Sequence, residues 1–213
     1  MKQDPAAQLT VIVPTYRRPR FLRRLLDYAE TVRFPFKILV ADSSDGDELR
    51  QNIARIAACS PHLHVEHLHF TCGLMEKLFC SVKGVTTPCC CLWADDDFQL
   101  PRGLISCLEY LEDHSDYVSC MGQFMAVRRN EDCTDILLET FPSRGESSTS
   151  ERILRWSENF YSSFYAVYRT PVLMEMLRVG VVASCYERCR IIPEILMGQM
   201  ALLLGRQRMI EGV

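Results

Sequence analysis

Residues 89–98 have the sequence CCCLWADDDF, an apolar stretch of strand length that ends in three adjacent carboxylates. An uninterrupted apolar run of this length is typical of a strand buried in the middle of a sheet. Three neighbouring acids repel one another, and a divalent cation is the simplest partner that would hold them together, because hard cations take oxygen ligands. Open α/β sheets bind ligands at the carboxyl ends of their strands. The stretch therefore predicts an α/β fold with a metal-bound phosphate substrate at this edge of the sheet.

Strand-like and helix-like patterns alternate through the first half of the chain. Residues 9–13 (LTVIV) predict a first strand that Pro14 stops, and Pro19 suits the first turn of a helix. Further strands are predicted at residues 36–41 and 63–70, the latter more polar and nearer a sheet edge, and a helix follows each strand. Four βα units with short connections imply a mostly parallel sheet with right-handed crossovers, flanked by helices.

The pattern weakens in the second half of the chain. Residues 101–111 predict another helix, and residues 117–127 contain one or two strands. Residues 128–150 are polar and rich in Glu, Asp, Ser and Thr, which predicts a long loop or lid. A strand that returns to the sheet is expected within residues 162–168, and residues 190–204 carry apolar side chains at helical spacing.

Composition restricts the class of protein. The 213 residues are 48% hydrophobic with a formal net charge of −3, which suits one globular domain and gives no support for a nucleic-acid partner. No run of the sequence reaches the roughly 18 apolar residues of a membrane span. The 11 cysteines follow no signal-like segment, so free thiols in a reducing compartment, the cytoplasm, are expected.

Two groups of basic residues stand out in the sequence. One consists of Arg17, Arg18, Arg20, Arg23 and Arg24. The other consists of His62, His64, His67 and His69. We interpret most of the arginines as a solvated helix face, with an anion-attracting rim as the alternative. The histidines fall in two pairs on opposite faces of a strand, which favours a solvated edge strand over a metal cluster.

The glycine motifs that commonly bind phosphate are absent from the sequence. Neither GxGxxG after the first strand nor GxxxxGK(S/T) occurs. The first turn, residues 14–19 (PTYRRP), instead offers an aromatic ring and a hydroxyl for stacking on and bonding to a base. Asp42 ends the second strand, where its carboxylate can accept hydrogen bonds from a base or ribose, or can cap the next helix. Both interpretations of Asp42 remain open.

Three segments together resemble family-2-type glycosyltransferases of the GT-A fold. They are residues 9–19 (LTVIVPTYRRP), 38–44 (ILVADSS) and 92–97 (LWADDD). Their order and spacing make the resemblance specific over residues 9–127. It implies a Rossmann-like GT-A fold in which residues 1–127 are the nucleotide-sugar-binding half. Residues 128–213 would then be a shortened acceptor-side half of the same domain.

The resemblance also implies how the donor is held. The positions that match the family's nucleotide-binding residues are Pro14, Thr15, Tyr16 and Asp42. The family's Asp-x-Asp motif, which binds a divalent metal and through it the sugar-nucleotide diphosphate, matches Asp95, Asp96 and Asp97. Asp97 is then the main ligand of Mn²⁺ or Mg²⁺, and Asp95 lies nearer the ribose as a second ligand. The run of three acids leaves another register open, in which Asp96 takes either role.

Two further residues receive roles from the resemblance. Lys77, on the helix after Gly73, matches a basic or polar residue that faces the nucleotide, and an exposed helix lysine is the alternative. Inverting members take the general base from an acidic residue at a helix start. Glu194 has this placement, with Glu187 in reserve, although an acid in a first turn can simply favour the helix dipole.

The expected function is metal-dependent, inverting transfer of a sugar from a nucleoside-diphosphate sugar to a hydroxyl of a glycan, lipid or protein. A lipid acceptor would bring the protein to the inner face of a membrane. Many relatives continue with acceptor-binding helices after the position of Val213, so a truncated, non-catalytic nucleotide-sugar-binding module is one alternative. A nucleotidyltransferase is a weaker alternative, because its first loop typically needs glycines that residues 14–19 lack.

Overall fold

The computed structural model describes residues 4–129, 134–184 and 191–212. The elements are, in chain order, α1 (Pro5–Gln8), β1 (Leu9–Thr15), α2 (Pro19–Thr31), β2 (Lys37–Asp42), α3 (Gly46–Ala57), β3 (Val65–His69), α4 (Leu74–Lys83), β4 (Cys89–Leu92), α5 (Pro101–Asp113), β5 (Tyr117–Met121), β6 (Phe124–Arg129), β7 (Thr134–Glu139), α6 (Thr149–Glu158), β8 (Val167–Arg169), α7 (Thr170–Ser184), α8 (Ile191–Leu204) and β9 (Arg206–Met209).

A seven-stranded sheet forms the centre of the fold, in the order β3-β2-β1-β4-β8-β5-β9. The first four strands pair in parallel, with β3 at the edge as the sequence predicts. Strand β8 is antiparallel to both β4 and β5, and β9 is parallel to β5. The predicted α/β class, a mostly parallel sheet flanked by helices, is confirmed.

The sheet buries apolar side chains on both faces because successive residues of a strand point to opposite sides. Val11 and Val13 of β1 join one core cluster with α2 and α5, whereas Ile12 joins the other with α4, α7 and α8. The fully buried indole of Trp93 packs in the first cluster, directly after β4. The covered faces explain why β1, β2 and β4 have nearly continuous apolar sequences.

Strand β1 runs through Pro14 to Thr15, so the expectation that the proline stops the strand is wrong. Pro14 pairs with Ala41 of β2 in the parallel register. The main chain of Ile12, two residues earlier, faces β4 and accepts a hydrogen bond from Trp93 N at 2.9 Å. Pro14 lies two residues beyond the last residue of β1 that pairs with β4, a position where a proline, which has no N–H to donate, is tolerated.

Residues 128–150 are not a single long loop or lid. Strand β7 lies within them and pairs with β6 as a two-stranded antiparallel sheet, and α6 begins at Thr149. Four large side chains on one face of this hairpin are exposed, namely Met125, Val127, Ile136 and Leu138. Because the hairpin is exposed, acidic and hydroxyl residues are tolerated around β7, and this polar composition resembles that of a loop.

The remaining elements of the second half complete the sheet and cover one face. The returning strand expected within residues 162–168 is β8, shifted to Val167–Arg169, and the expected helix at residues 190–204 is α8. Helix α7 packs against α4 and α8. Neither α7 nor β9 is predicted from the sequence. Within the three described segments, none of the helices has the length and apolar character that a membrane crossing needs.

Candidate active site

A cleft of about 870 Å³ opens at the carboxyl ends of β1, β2 and β4. Its walls come from the turns that follow these strands, from the start of α4 and from the segment that precedes β8. Parallel strands that end together bring their following turns together, which is why an open α/β sheet binds ligands at this edge. Five of the seven predicted nucleotide-binding residues line the cleft, namely Pro14, Thr15, Tyr16, Lys77 and Asp95. Four other predicted site residues do not line it, namely Asp42, Asp96, Asp97 and Glu194.

The Asp95 carboxylate lies at the floor of the cleft and is only 2% exposed. Thr15 Oγ1 donates a hydrogen bond to Asp95 Oδ2 at 2.8 Å, and Arg18 Nη1 lies 2.8 Å from Asp95 Oδ1. Burial raises the pKa of Asp95 above its ordinary value, and the contacts with Thr15 and Arg18 oppose that shift. Both Asp95 oxygens therefore already have partners within the protein.

Asp96 and Asp97 follow in an exposed turn, in two different environments. Arg18 Nη2 pairs with Asp96 Oδ2 at 2.7 Å, and this contact lowers the pKa of Asp96. Arg24 Nη2 donates to the main-chain oxygen of Asp96 at 2.5 Å. The Asp97 side chain has no hydrogen-bonding partner among the described residues, and burial and the charge of Asp96 raise its pKa. Asp97 thus carries the carboxylate of the motif that forms no hydrogen bond or ion pair among the described residues, although the charges of Arg24 and Arg18 act on it.

Lys77 is buried, which contradicts the alternative of an exposed helix lysine. Its Nζ donates to the main-chain oxygen of Thr15 at 2.7 Å and to Ser43 Oγ at 2.9 Å. Burial lowers the pKa of Lys77, and the negative charges of Asp42 and Asp95 oppose this shift. The ammonium thus joins the turns after β1 and β2 and places one positive charge at the cleft wall.

Asp42 is fully buried at the end of β2, and both of its oxygens have partners. Oδ1 accepts from the Ser44 N–H at 2.7 Å, an Asx turn, and Oδ2 accepts from Asn52 Nδ2 at 2.9 Å. His67 Nε2 lies 3.3 Å from Oδ2. Although burial alone would raise the pKa of Asp42, the bonds from His67, Ser44 and Asn52 lower it to about 2. The carboxylate fixes the turn that lines the cleft, and its contact with a nucleotide stays a prediction.

The turn after β1 is shaped by contacts with the turn after β2. Arg17 has φ of 53°, a left-handed conformation that is uncommon for residues other than glycine. Its N–H donates to Ser44 Oγ at 2.8 Å, and its guanidinium pairs with Asp45 at 2.7 Å. This geometry leaves Tyr16 53% exposed at the cleft, with the Arg17 guanidinium carbon 5.3 Å from the centroid of its ring.

Glu194 lies in the first turn of α8 and is half-buried. Tyr165, which lines the cleft, lies within electrostatic reach of both Glu194 and the three aspartates. Burial, followed by the charges of Asp97 and Asp96, raises the pKa of Tyr165 to about 12, and Glu194 adds to this effect. The charges of Glu194 and of the acidic turn thus both act on Tyr165, although Glu194 does not itself line the cleft. The reserve candidate, Glu187, lies outside the described residues.

Comparison with known proteins identifies the family. The family model described as glycosyl transferase family 2 matches residues 10–177, which is more than half of the chain. The chain belongs to glycosyl transferase family 2. The match extends from β1 into α7 and includes the cleft, the acidic turn and Tyr165. No curated protein sequence matches this chain.

Solved structures of other proteins share the fold. The UDP-GlcNAc complex of S. aureus TarS residues 1–349 superimposes with a TM-score of 0.67 at 16% identity, covering 95% of this chain and 56% of that one. The mannosyltransferase PcManGT from Pyrobaculum calidifontis, in complex with GDP-Man and Mn²⁺, gives a TM-score of 0.61 at 16% identity, covering 100% and 57%. These similarities confirm the GT-A fold.

The same fold also occurs in a protein that is named as a synthase and not as a glycosyltransferase. The 4-diphosphocytidyl-2C-methyl-D-erythritol synthase from Anaerococcus prevotii gives a TM-score of 0.57 at 8% identity, covering 98% of this chain and 90% of that one. The family 2 chain spans 35% of the longer S. aureus TarS structure and 58% of the shorter one. The fold and the family are therefore established.

Three residues at the site have contacts that the sequence does not predict. Arg18, one of the five clustered arginines, pairs with two of the three aspartates and so does not simply belong to a solvated helix face. Asn52 is the buried residue of α3, whereas the apolar Ile53 beside it is 48% exposed. His67 contacts Asp42 from the edge strand. A polar residue at a buried position of an amphipathic helix was the available signal for Asn52.

Proposed function

We propose that this family 2 protein transfers a sugar from a nucleoside-diphosphate sugar to a hydroxyl acceptor, with a divalent metal and with inversion at the anomeric carbon. The observation that carries the proposal is the Asp97 carboxylate. It is exposed beside the cleft and has no hydrogen-bonding partner among the described residues, although it is part of an acidic turn whose other members are paired. A free carboxylate beside a sheet-edge cleft is suited to a hard cation and its phosphate ligands.

The donor atoms on this turn fit Mn²⁺ or Mg²⁺. Within the described residues, no three acidic, histidine or cysteine side chains converge on a closed metal cage. Ions of the Mg²⁺ type usually bind through one or two carboxylates plus substrate phosphates, and do not need such a cage. Asp97 would supply the principal ligand and Asp95 a second. When bound, the metal would act as a Lewis acid that stabilises the charge of the departing diphosphate.

The nucleotide would lie between the turns after β1 and β2. The exposed ring of Tyr16 supports stacking on the base, and Pro14, Thr15 and the Asx turn of Asp42 shape the wall beneath it. Lys77 contributes a positive charge at this wall, held by Thr15 and Ser43. Residues 1–127 would bind the donor in this arrangement, and residues 128–213 would face the acceptor.

Glu194 is the proposed general base. Its carboxylate would take the proton of the acceptor hydroxyl as that oxygen forms a bond to the anomeric carbon of the sugar. The bond from this carbon to the diphosphate oxygen breaks at the same time, and the diphosphate leaves with the electron pair. The charges of Glu194 and of the acidic turn both act on Tyr165, which lines the cleft, and this supports the assignment.

Donor turnover tests this proposal without knowledge of the acceptor. The purified protein is incubated with UDP-GlcNAc, GDP-Man and other sugar nucleotides in Mn²⁺ or in EDTA, and released nucleoside diphosphate is measured by chromatography. Release from one donor that requires Mn²⁺ supports the transferase, because water can replace the acceptor in slow hydrolysis. Binding of a donor with no release, in the presence of candidate glycan acceptors, would favour a non-catalytic nucleotide-sugar-binding module.

A further inference from the structure

The Arg18 guanidinium lies across the head of the acidic turn. Its two terminal nitrogens bind separate carboxylates, with Nη1 at 2.8 Å from Asp95 Oδ1 and Nη2 at 2.7 Å from Asp96 Oδ2. The same guanidinium carbon lies 4.1 Å from the centroid of the Phe21 ring. Arg18 therefore shares its single positive charge between two of the three carboxylates of the turn.

The environment of Asp95 makes this contact consequential. Asp95 is almost fully buried, and its other oxygen accepts the Thr15 hydroxyl, so its two oxygens already hold one cation and one hydroxyl. A divalent cation that approaches Asp95 must compete with Arg18 for Oδ1, and it meets the repulsion of a positive charge. Asp97 forms no ion pair or hydrogen bond among the described residues, so the charges of Arg24 and Arg18 act on it only from a greater distance.

Arg18 can also reach an anion in the cleft. Its side chain is 39% exposed and lines the cleft, and the residue precedes α2, so the side chain can turn toward an anion while that helix stays intact. Guanidinium groups bind phosphate oxygens in the same bidentate manner in which they bind carboxylates. A diphosphate in the cleft would therefore be a competing partner that draws Arg18 away from Asp95.

We propose that Arg18 is an internal counter-ion of Asp95 and Asp96 that keeps the affinity for a divalent cation low until a diphosphate enters the cleft. This positioning role deepens the proposed function and rests on it. It predicts positive coupling, in which metal and nucleoside diphosphate each tighten the binding of the other by the same factor. The metal would then bind tightly together with the diphosphate, and weakly alone.

The test is Mn²⁺ binding in the absence of nucleotide, measured from the electron paramagnetic resonance signal of free Mn²⁺. Arg18→Gln should bind Mn²⁺ about fivefold or more tightly than the wild type, at the lower limit of typical coupling between sites. It should also reduce the tightening that UDP or GDP produces. Arg17→Gln is the matched control, because it removes a neighbouring charge that pairs with Asp45 instead. Its Mn²⁺ affinity should stay within about twofold of the wild type.

Arg18→Lys provides a second variant that retains the charge, in case the glutamine variant does not fold. A single ammonium lacks the planar fork that binds two carboxylates, so the affinity for Mn²⁺ alone should lie between those of the wild type and Arg18→Gln. Circular dichroism establishes that each variant is folded. Equal or weaker Mn²⁺ binding by the folded Arg18 variants would overturn the proposal.

The outcome is separable from that of the proposed function. If all variants bind Mn²⁺ equally while donor turnover persists, the role of Arg18 is wrong and the transferase stands. If no sugar nucleotide is turned over but Arg18→Gln still binds Mn²⁺ more tightly, the transferase is wrong and the counter-ion role stands. Absence of Mn²⁺ binding in every variant, with and without diphosphate, would overturn the counter-ion role.

Discussion

Thr15 Oγ1 donates a hydrogen bond to Asp95 Oδ2 at 2.8 Å, and the two residues are separated by 80 positions in the sequence. Thr15 ends β1 and Asp95 follows β4, so the bond joins the two turns that flank the cleft floor. Its formation depends on the parallel pairing of β1 with β4. The hydroxyl that the sequence assigns to a nucleotide therefore also holds the acidic turn in place.

Replacing Thr15 by valine should destabilise the protein. The change keeps the shape of the side chain but leaves one oxygen of the buried Asp95 carboxylate without its donor, which costs about 1–3 kcal/mol of unfolding free energy. Urea unfolding at neutral pH measures this. Thr31→Val is the control, because Thr31 bonds to a carbonyl of its own exposed helix end, and about 0.5 kcal/mol or less is expected there. Equal stabilities of the two variants would contradict the structural role of Thr15.

The Asp42 carboxylate should make stability depend on pH. Its pKa falls from 3.8 to about 2 on folding, so its contribution is present above the unfolded-state value and is lost as the pH decreases from about 4 toward 2. The shift corresponds to about 2 kcal/mol of unfolding free energy. Asp42→Asn should therefore be less stable at pH 6 and should lose less stability on acidification.

Urea midpoints at pH 6, 4 and 3 measure this difference. Asp113→Asn controls for the loss of one negative charge, because Asp113 is exposed at the end of α5. A parallel decrease in wild type and Asp42→Asn over this range would show that the carboxylate is not held in its ionised form by its three partners.

How far the sequence predicts the fold depends on the range of the interactions. Strands β1, β2 and β4 and helices α2, α4, α5 and α8 follow from periodicity, since their apolar side chains face a core whichever partner supplies it. Strand β7 did not follow, because its hairpin is exposed and the apolar alternation that marks a half-buried strand is missing. The strand through Pro14 depends on where the neighbouring β4 ends, which a local pattern does not contain.

The same distinction applies to the site. Local motifs and the resemblance predict the acidic turn after β4 and the proposed base Glu194. They do not predict the partners of Lys77 and Arg18, because these contacts cross 62 and 78 residues of sequence. A lysine or arginine at a helix start looks the same in sequence whether it faces solvent or a buried carboxylate. Long-range pairing decides which, and only the folded chain reveals it.

Replacing Lys77 by methionine should weaken nucleotide binding. Methionine keeps most of the buried volume, but it removes the charge and leaves Thr15 O and Ser43 Oγ without a donor, so the variant should also lose about 1–3 kcal/mol of unfolding free energy. Loss of one charge-assisted contact should reduce affinity for a nucleoside diphosphate by about tenfold or more. Calorimetry measures the affinity. Lys83→Met, an exposed lysine of the same helix, should bind as the wild type does.

Replacing Glu194 by glutamine should separate binding from catalysis. The amide has nearly the same shape but does not accept a proton, so donor affinity should persist while transfer falls by about 10²–10⁴-fold. The release of nucleoside diphosphate measures the rate. Glu175→Gln, on the exposed side of α7, is the control for a lost carboxylate and should retain full activity. Wild-type turnover by Glu194→Gln would remove this residue as the base.

The most direct measurement is calorimetric titration of UDP, GDP, CDP and ADP into the wild type and Asp97→Asn, first with Mn²⁺ and then with EDTA. We predict that the wild type binds one of these diphosphates in Mn²⁺ at least tenfold more tightly than in EDTA, a coupling of about 1.4 kcal/mol or more. Asp97→Asn should lose this difference while remaining folded. Metal-independent binding in the wild type, or an undiminished effect of Mn²⁺ in Asp97→Asn, would contradict the assignment of Asp97 as the metal ligand.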